Sequence, residues 1–170
     1  MQDLATDRLI LRQLSVDDAP DFFRLYGDPE TMRYMGQGPS SLAEEQRHIQ
    51  QHILQIYPLG IGLRAVIFKA TGTLIGYCGL LVQEIEDRPE LEIAYLIDRA
   101  YWGRGLATEA AARTVQDWRE HLTQDRLIAL VDPRNGASAR VAQKIGMRYA
   151  RDVDYKTFGS VQLYLLARES

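Results

Sequence analysis

The segment Trp102-Gly103-Arg104-Gly105-Leu106-Ala107-Thr108-Glu109-Ala110 follows an apolar run, Ile93-Ala94-Tyr95-Leu96-Ile97, and leads into a stretch of helical period. Glycines in such a turn let successive N–H groups point one way, and a helix start leaves further N–H groups without partners. Strand, glycine turn and helix start in that order make a site for phosphate oxygens. A tight turn without a ligand is the competing reading. Two familiar phosphate motifs are excluded, because Thr108 stands where GxGxxG needs its third glycine and no GxxxxGK[ST] occurs. Arg99, Arg104, Arg134, Arg140 and Lys144 gather around this turn and a second one at Asp132-Pro133-Arg134-Asn135-Gly136. Arginine grips phosphate bidentately; a solvated surface is the alternative for each side chain.

Other reactive residue types carry weaker readings. His48 and His52 stand four apart on an expected helix, but no Glu follows His48 as HExxH requires, so no metal is expected. Cys78 sits in an apolar strand and reads as core, not nucleophile. Trp118 and the pair Phe22 and Phe23 fit helix stripes. Glu109 suits the positive end of a helix dipole and needs no catalytic role.

The elements that must position these residues follow from periodicity. Residues 9–14 read as a strand, and a helix opens at Ser15 with Val16, Ala19, Phe22, Phe23 and Tyr26 as its buried stripe. Ser41 and Glu44 form a capping-box pattern for a second helix running to about Tyr57, with Leu42, Ile49, Ile53 and Ile56 on one side. Residues 63–69 and 74–85 form a hairpin around Gly72, with Gly76 and Gly79 marking a bulge or a close backbone approach. Asp87-Arg88-Pro89 turns the chain into a strand over 90–97, and a helix of about 106–121 carries Ala107, Ala110, Ala111, Val115, Trp118 and Leu122. A strand over 127–131, a short helix over 138–145 stopped by Gly146, and strands over 148–155 and 160–167 complete a mixed α/β order.

Length and composition bound the rest. A chain of 170 residues, 46% hydrophobic and 25% charged, predicts one globular domain over 1–170. With 20 Lys+Arg against 23 Asp+Glu the net charge is −3, which argues against nucleic acid as a partner. No apolar run reaches the ~18 residues of a membrane span, and the first residues lack the apolar core of a signal peptide. The single cysteine fits a reducing compartment, so a cytoplasmic location is expected.

Taken together, Thr6-Asp7-Arg8-Leu9-Ile10-Leu11-Arg12, Leu74-Ile75-Gly76-Tyr77-Cys78-Gly79, Glu92-Ile93-Ala94-Tyr95, Tyr101-Trp102-Gly103-Arg104-Gly105-Leu106-Ala107-Thr108-Glu109-Ala110, and Asn135-Gly136-Ala137-Ser138 before Lys144-Ile145-Gly146-Met147 resemble the GNAT superfamily of acetyltransferases. Within it they most resemble the RimJ/RimL-like group, whose members acetylate N-terminal amines of ribosomal proteins and whose relatives use other acceptors. The resemblance spans essentially the whole chain in the family's order. It implies the GNAT fold: a central, mostly antiparallel twisted sheet with a splayed pair of strands, flanked by about four helices. It implies acetyl-CoA as co-substrate, with no metal.

By that resemblance the strand over 92–97, with Leu96 and Ile97 at the splay, offers main-chain groups to the pantetheine arm. Gly103, Arg104, Gly105, Leu106, Ala107 and Thr108 hold the pyrophosphate, with Trp102 where the family writes Gln or Arg, as is usual in the RimJ/RimL-like group. Asn135 hydrogen-bonds the pantetheine, and Ser138 lies one helical turn on. Acetyl transfer then needs a neutral amine, a donor to the thioester carbonyl and an acid for the leaving thiolate. Glu92 matches the strand glutamate that some members use as base; a structural carboxylate paired with Arg is the alternative. Many members carry the acid as a Tyr seven residues after the Asn, where this chain has Ala142. Ser138 or a water substitutes, with Ser138 also readable as a helix cap, and Tyr95, Tyr101 and Tyr155 are further phenols. The acceptor implied is a protein N-terminus; a small-molecule amine, or acyl-CoA binding without catalysis, are the alternatives. Relatives suggest a homodimer.

Overall fold

The computed structural model describes residues 1–36 and 38–168, apart from the side chains of His52, Ile53 and Thr157. In chain order the elements are β1 (Leu4–Ala5), β2 (Leu9–Gln13), α1 (Ala19–Tyr26), α2 (Leu42–His48), β3 (Gly62–Phe68), β4 (Thr73–Ile85), β5 (Arg88–Ile97), α3 (Leu106–His121), β6 (Arg126–Val131), α4 (Gly136–Lys144), β7 (Arg148–Asp154) and β8 (Ser160–Ala167). All eight strands join one sheet in the order β1-β2-β3-β4-β5-β6-β8-β7. Every neighbouring pair is antiparallel except β5 and β6, which are parallel and share a single registered pair, Glu92 with Ile128. This is the mixed α/β architecture expected, with the splay at the β5–β6 junction and a two-residue β1 added at the edge.

Alternation along the strands separates two layers. Ile75, Ile93 and Ile97 pack under α3, where Leu106, Ala110, Val115 and Trp118 form the largest buried cluster. Tyr77, Leu96 and the half-buried Ala94 face the opposite layer, with Phe22 and Leu25 of α1 and Ile49. A buried ion pair crosses from β3 to α3, with Arg64 Nη2 2.8 Å from Asp117 Oδ2. It fixes α3 against the sheet, and removing either partner would strand the other charge in the core.

Several expected details shift. The β4–β5 turn is Glu86-Asp87, both at positive φ (51° and 62°), so Arg88 and Pro89 already belong to β5. Positive φ at both central residues matches the right-handed twist of the flanking strands. Ser15 does cap the first helical turn, but Val16–Asp18 is a 3-10 turn of tighter pitch, and the α1 stripe becomes Ala19, Phe22 and Leu25 while Phe23 is exposed. The second helix is not one α-helix. α2 gives way to a π-helical turn over Ile49–Ile53 and a 3-10 turn over Leu54–Leu59, whose Pro58 lacks an N–H. These changes of pitch rotate Leu42 to the surface while Ile49 stays buried; the expectation for the Ile53 side chain lies outside the described residues.

Gly76 and Gly79 do mark close backbone approach, beside a register shift between Val66 and Ile67. A Cβ on Gly76, whose φ is +153°, would lie 1.9 Å from the Leu96 carbonyl oxygen, and one on Gly79 would lie 2.1 Å from that of Gly62. Gly72, at φ +68° in the β3–β4 turn, has nothing within 4 Å of an added Cβ. Gly76→Ala is therefore expected to cost about 3–5 kcal/mol in denaturant unfolding, and Gly72→Ala only about 1–2 kcal/mol of left-handed strain. Equal losses would show that contact with β5 does not constrain this strand.

Candidate active site

A cleft of about 540 Å³ opens where β5 and β6 part. One wall is β5 from Glu92 to Ile97, and the other is β6 continuing into Asp132, Arg134 and Asn135. The floor is the start of α3 with the turn before it, and Ser138, Arg140 and Lys144 of α4 close the far side. Arg33 and Tyr34 of the loop after α1 border the mouth. All the expected site residues line it except Arg104.

The glycine turn adopts the conformation that its residues predict. Gly103 and Gly105 have φ of +74° and +75°, and Gly105 is the N-cap of α3 without a side-chain hydrogen bond. Leu106, Ala107 and Thr108 thus begin a 16-residue helix with their amides uncapped at the cleft floor, which suits an anion. No protein atom lies closer than 3.8 Å to a Cβ built on Gly105, so backbone conformation and the open space, not protein packing, require glycine there.

Arg104 departs from expectation. Its guanidinium sits 5.2 Å from the Tyr101 ring centroid and donates to the Ala100 carbonyl, so it folds onto its own turn instead of into the cleft. Arg99 is likewise 3.4 Å from Asp28. Arg134, Arg140 and Lys144 are the expected basic residues that line the cleft, with Arg134 paired to Asp132 at 2.7 Å.

A role for the Thr6-Asp7-Arg8-Leu9 opening becomes visible only here. Glu109 Oε1 accepts from Thr6 Oγ1 (2.5 Å) and from the Arg8 main chain (2.9 Å), while Arg8 Nε donates to Glu109 Oε2 (2.7 Å). Arg8 Nη1 also donates to the Arg104 carbonyl at 2.9 Å. Burial opposes the charge on Glu109, but these donors hold its carboxyl below the ordinary range. The N-terminal strand thereby clamps the glycine turn. Trp102 adds a second tie, its indole N–H donating to the Ile97 carbonyl at 2.6 Å.

Asn135, not Ser138, caps α4. Its side-chain oxygen accepts from the Ser138 N–H at 3.0 Å, which leaves its NH2 as the group available to a ligand. α4 accordingly starts at Gly136, and Ser138 sits inside its first turn. The Tyr95 hydroxyl donates to the Ser138 carbonyl at 3.0 Å and lies 3.1 Å from Ser138 Oγ. Ala142 is fully buried in the main core, so a phenol reaches α4 from β5 instead of from α4 itself.

Glu92 stands at the fork. Burial pushes its carboxyl up to about 7, against hydrogen bonds from Gln83 and the Leu130 main chain and the charge of Lys156. Gln83 Nε2 donates to Glu92 Oε2 at 2.8 Å, and among the described residues no arginine pairs with it. The strand carboxylate paired with an arginine is instead Glu90, two residues earlier on β5, which meets Arg126. Cys78 is core as expected, with burial pushing its thiol up to about 12. His48 lies 3.7 Å from Glu45, and the His52 side chain falls outside the described residues. Among the described residues no cluster of His, Cys, Asp or Glu has the makings of a metal site, and no helix is long and apolar enough to cross a membrane.

Comparisons with known proteins give a family model, a sequence relative and structures of the same fold. Residues 8–148 match the family model described as an acetyltransferase (GNAT) domain. The uncharacterized protein YkkB of Bacillus subtilis strain 168 is 34% identical over 151 residues, covering 88% of this chain and 87% of its own. A putative GnaT-family acetyltransferase from Bordetella pertussis has the same fold, with a TM-score of 0.84 at 22% identity over 98% of this chain and 100% of that one. RimL, a ribosomal L7/L12 α-N-protein acetyltransferase solved in complex with coenzyme A, superposes with a TM-score of 0.80 at 15% identity, covering 98% of each chain.

Two outcomes follow from the site's geometry. Gly105→Val should weaken CoA binding in calorimetry at least tenfold, because a β-branched residue resists φ near +75° and misdirects the amides. Trp102→Phe, which loses one hydrogen bond, should cost only about 2–10-fold. The second concerns stability. Between about 4.5 and about 7 the folded protein keeps a Glu92 proton that the unfolded chain has released. Stability from this group is therefore present below that window and lost as pH rises through it. Glu92→Gln should flatten the decline, so that the variant's melting temperature gains on the wild type as pH rises; parallel curves would refute the burial of this charge.

Proposed function

The chain belongs to the GNAT acetyltransferase family, and from that premise we propose that it moves the acetyl group of acetyl-CoA to a primary amine, a protein or peptide N-terminus, by direct attack in a ternary complex. The observation that carries this reading is Glu92, a carboxyl at the strand fork, open to the cleft and held near 7 by its surroundings. A base works best when its pKa lies near the working pH and not far below that of its proton donor. An α-amine near ~8 gives its proton to such a base at roughly tenfold disadvantage, and a lysine near ~10.4 at more than a thousandfold. That difference favours an α-amine acceptor.

The cleft fits the co-substrate in its chemistry. Uncapped amides at residues 106–108 suit the pyrophosphate, and Arg134, Arg140 and Lys144 supply charge for phosphate. The main chain at Leu96 and Ile97 and the Asn135 NH2 are the polar groups along the strand wall. Acetyl-CoA supplies the activated acyl group. Within this arrangement Glu92 takes the amine proton and afterwards releases it to solvent. The Ser138 hydroxyl, its oxygen held 3.1 Å from that of Tyr95, hands a proton to the departing thiolate sulfur and is reprotonated from solvent.

A panel of amines monitored by free-thiol release tests the reading. Peptides with free N-termini should react fastest, ahead of Nα-blocked lysine peptides, polyamines and aminoglycosides. Exclusive turnover of a small amine would replace the acceptor, and CoA binding with no turnover on any amine would refute catalysis. Glu92→Gln should keep CoA affinity and lower turnover by roughly 10²–10⁴-fold, with the defect shrinking as pH rises and more amine arrives neutral. A rate profile that merely scales down at every pH would remove Glu92 from the role of base.

A further inference from the structure

Glu92 does not stand alone on its face of the sheet. Its registered partner on β4 is Leu81, and Gln83, two residues further along β4, shares that face. A glutamine amide has unlike ends, an acceptor oxygen and a donor NH2. Here the NH2 meets Glu92 Oε2 at 2.8 Å. The oxygen is occupied twice, by the Tyr155 hydroxyl at 2.6 Å and by Lys156 Nζ at 3.1 Å.

Both donors come from the turn between β7 and β8. Lys156 holds an unusual φ of +46°, and its ammonium lies 4.7 Å from the Tyr155 ring centroid. Tyr155 in turn stacks on Phe158, with centroids 5.9 Å apart and planes at 22°. Two parts of the chain, β5 and the turn between β7 and β8, thus converge on one amide of β4, and none of the motifs that carry the family resemblance contains it. If the amide were reversed, its oxygen would face the carboxylate and its NH2 would face the Lys156 ammonium, which can only donate. Lys156 therefore forbids that arrangement, and with the oxygen turned toward it the Tyr155 hydroxyl is left to donate.

We propose that Gln83 is a positioning residue for Glu92, and that Tyr155 and Lys156 set which end of its amide the carboxylate meets. Its consequence for catalysis rests on the reading of Glu92 as the base. With Oε2 held by Gln83, the carboxylate keeps one orientation and its charged form is favoured at the pH where an amine must be deprotonated. The charged and titratable groups that act on Glu92 are Lys156 from the turn, Tyr77 from β4 on the same face and, across the strand, Tyr95, with Tyr155 reaching it through Gln83. Tyr155→Phe changes none of these charges and keeps the ring against Lys156, so the contact it removes from this group is the hydrogen bond to the Gln83 amide.

The test titrates the full-length protein with carbon-13 in the glutamate carboxyls, following the Glu92 resonance identified by its absence in Glu92→Gln. In Gln83→Met the Glu92 midpoint should rise by about half a pH unit to one pH unit, the equivalent of one hydrogen bond. In Tyr155→Phe it should rise by a smaller amount, and the double variant should match Gln83→Met alone, because the two act in series. The acid limb of kcat/KM should move by the same amounts. An unmoved midpoint in Tyr155→Phe, or fully additive shifts in the double variant, overturns the proposal. The titration needs no acceptor. Midpoints that move as stated in a protein that acetylates no amine would uphold the positioning and refute the base.

Discussion

Everything in the site depends on one gap in the sheet. β5 and β6 share only the pair Glu92 with Ile128, and beyond it they diverge. A sheet interior with unpaired strand sides is costly unless other groups meet the exposed amides and carbonyls. Here the Leu130 main chain reaches the Glu92 carboxyl, and the Trp102 indole takes the Ile97 carbonyl. The remaining polar groups along the cleft are left for a ligand. On its other side β5 is held without slack, paired with β4 through ten residues from Gly76↔Ile97 to Ile85↔Arg88. A rigid edge on one side and an open one on the other make a strand that presents its backbone reliably.

The same gap explains the electrostatics. A carboxyl placed at its narrow end loses water and gains few donors, so Glu92 rises while Glu109, wrapped by Thr6 and Arg8, falls. The two acids both lie in segments that carry the family resemblance, yet their surroundings shift them in opposite directions. Glu109 stays charged and ties the turn between β1 and β2 to the glycine turn; Glu92, held near 7, is the carboxyl whose charge burial opposes. Glu109 lies in the first turn of α3, whose far half is held to the sheet by the buried Arg64–Asp117 pair.

Much of this was legible in the residues. Local rules suffice where a backbone need is local: Gly103 and Gly105 announce positive φ, Ser15 and Ser41 announce helix starts, and the 3.6-residue stripe of α3 names its buried face. Glu92 was found by likeness and by alternation. What stayed hidden depends on tertiary approach. No spacing rule joins Arg8 to Glu109 across 101 positions, or Tyr155 to Gln83 across 72. The place of the Arg104 side chain was equally hidden, since a guanidinium near such a turn has two homes and here it lies on the Tyr101 ring and the Ala100 carbonyl. The π-helical turn at Ile49–Ile53 broke a stripe that a single pitch could not describe.

The central claim is that the parted strands and the start of α3 together receive CoA. Amide chemical shifts of the nitrogen-15 protein, followed while CoA is added, test it most directly. The account predicts the largest changes at Gly103, Gly105, Leu106, Ala107 and Thr108, with a second group at Leu96 and Ile97. Silence at those amides, with changes gathered instead in the shallow groove lined by Gln13, Ser15 and Tyr57, would contradict it.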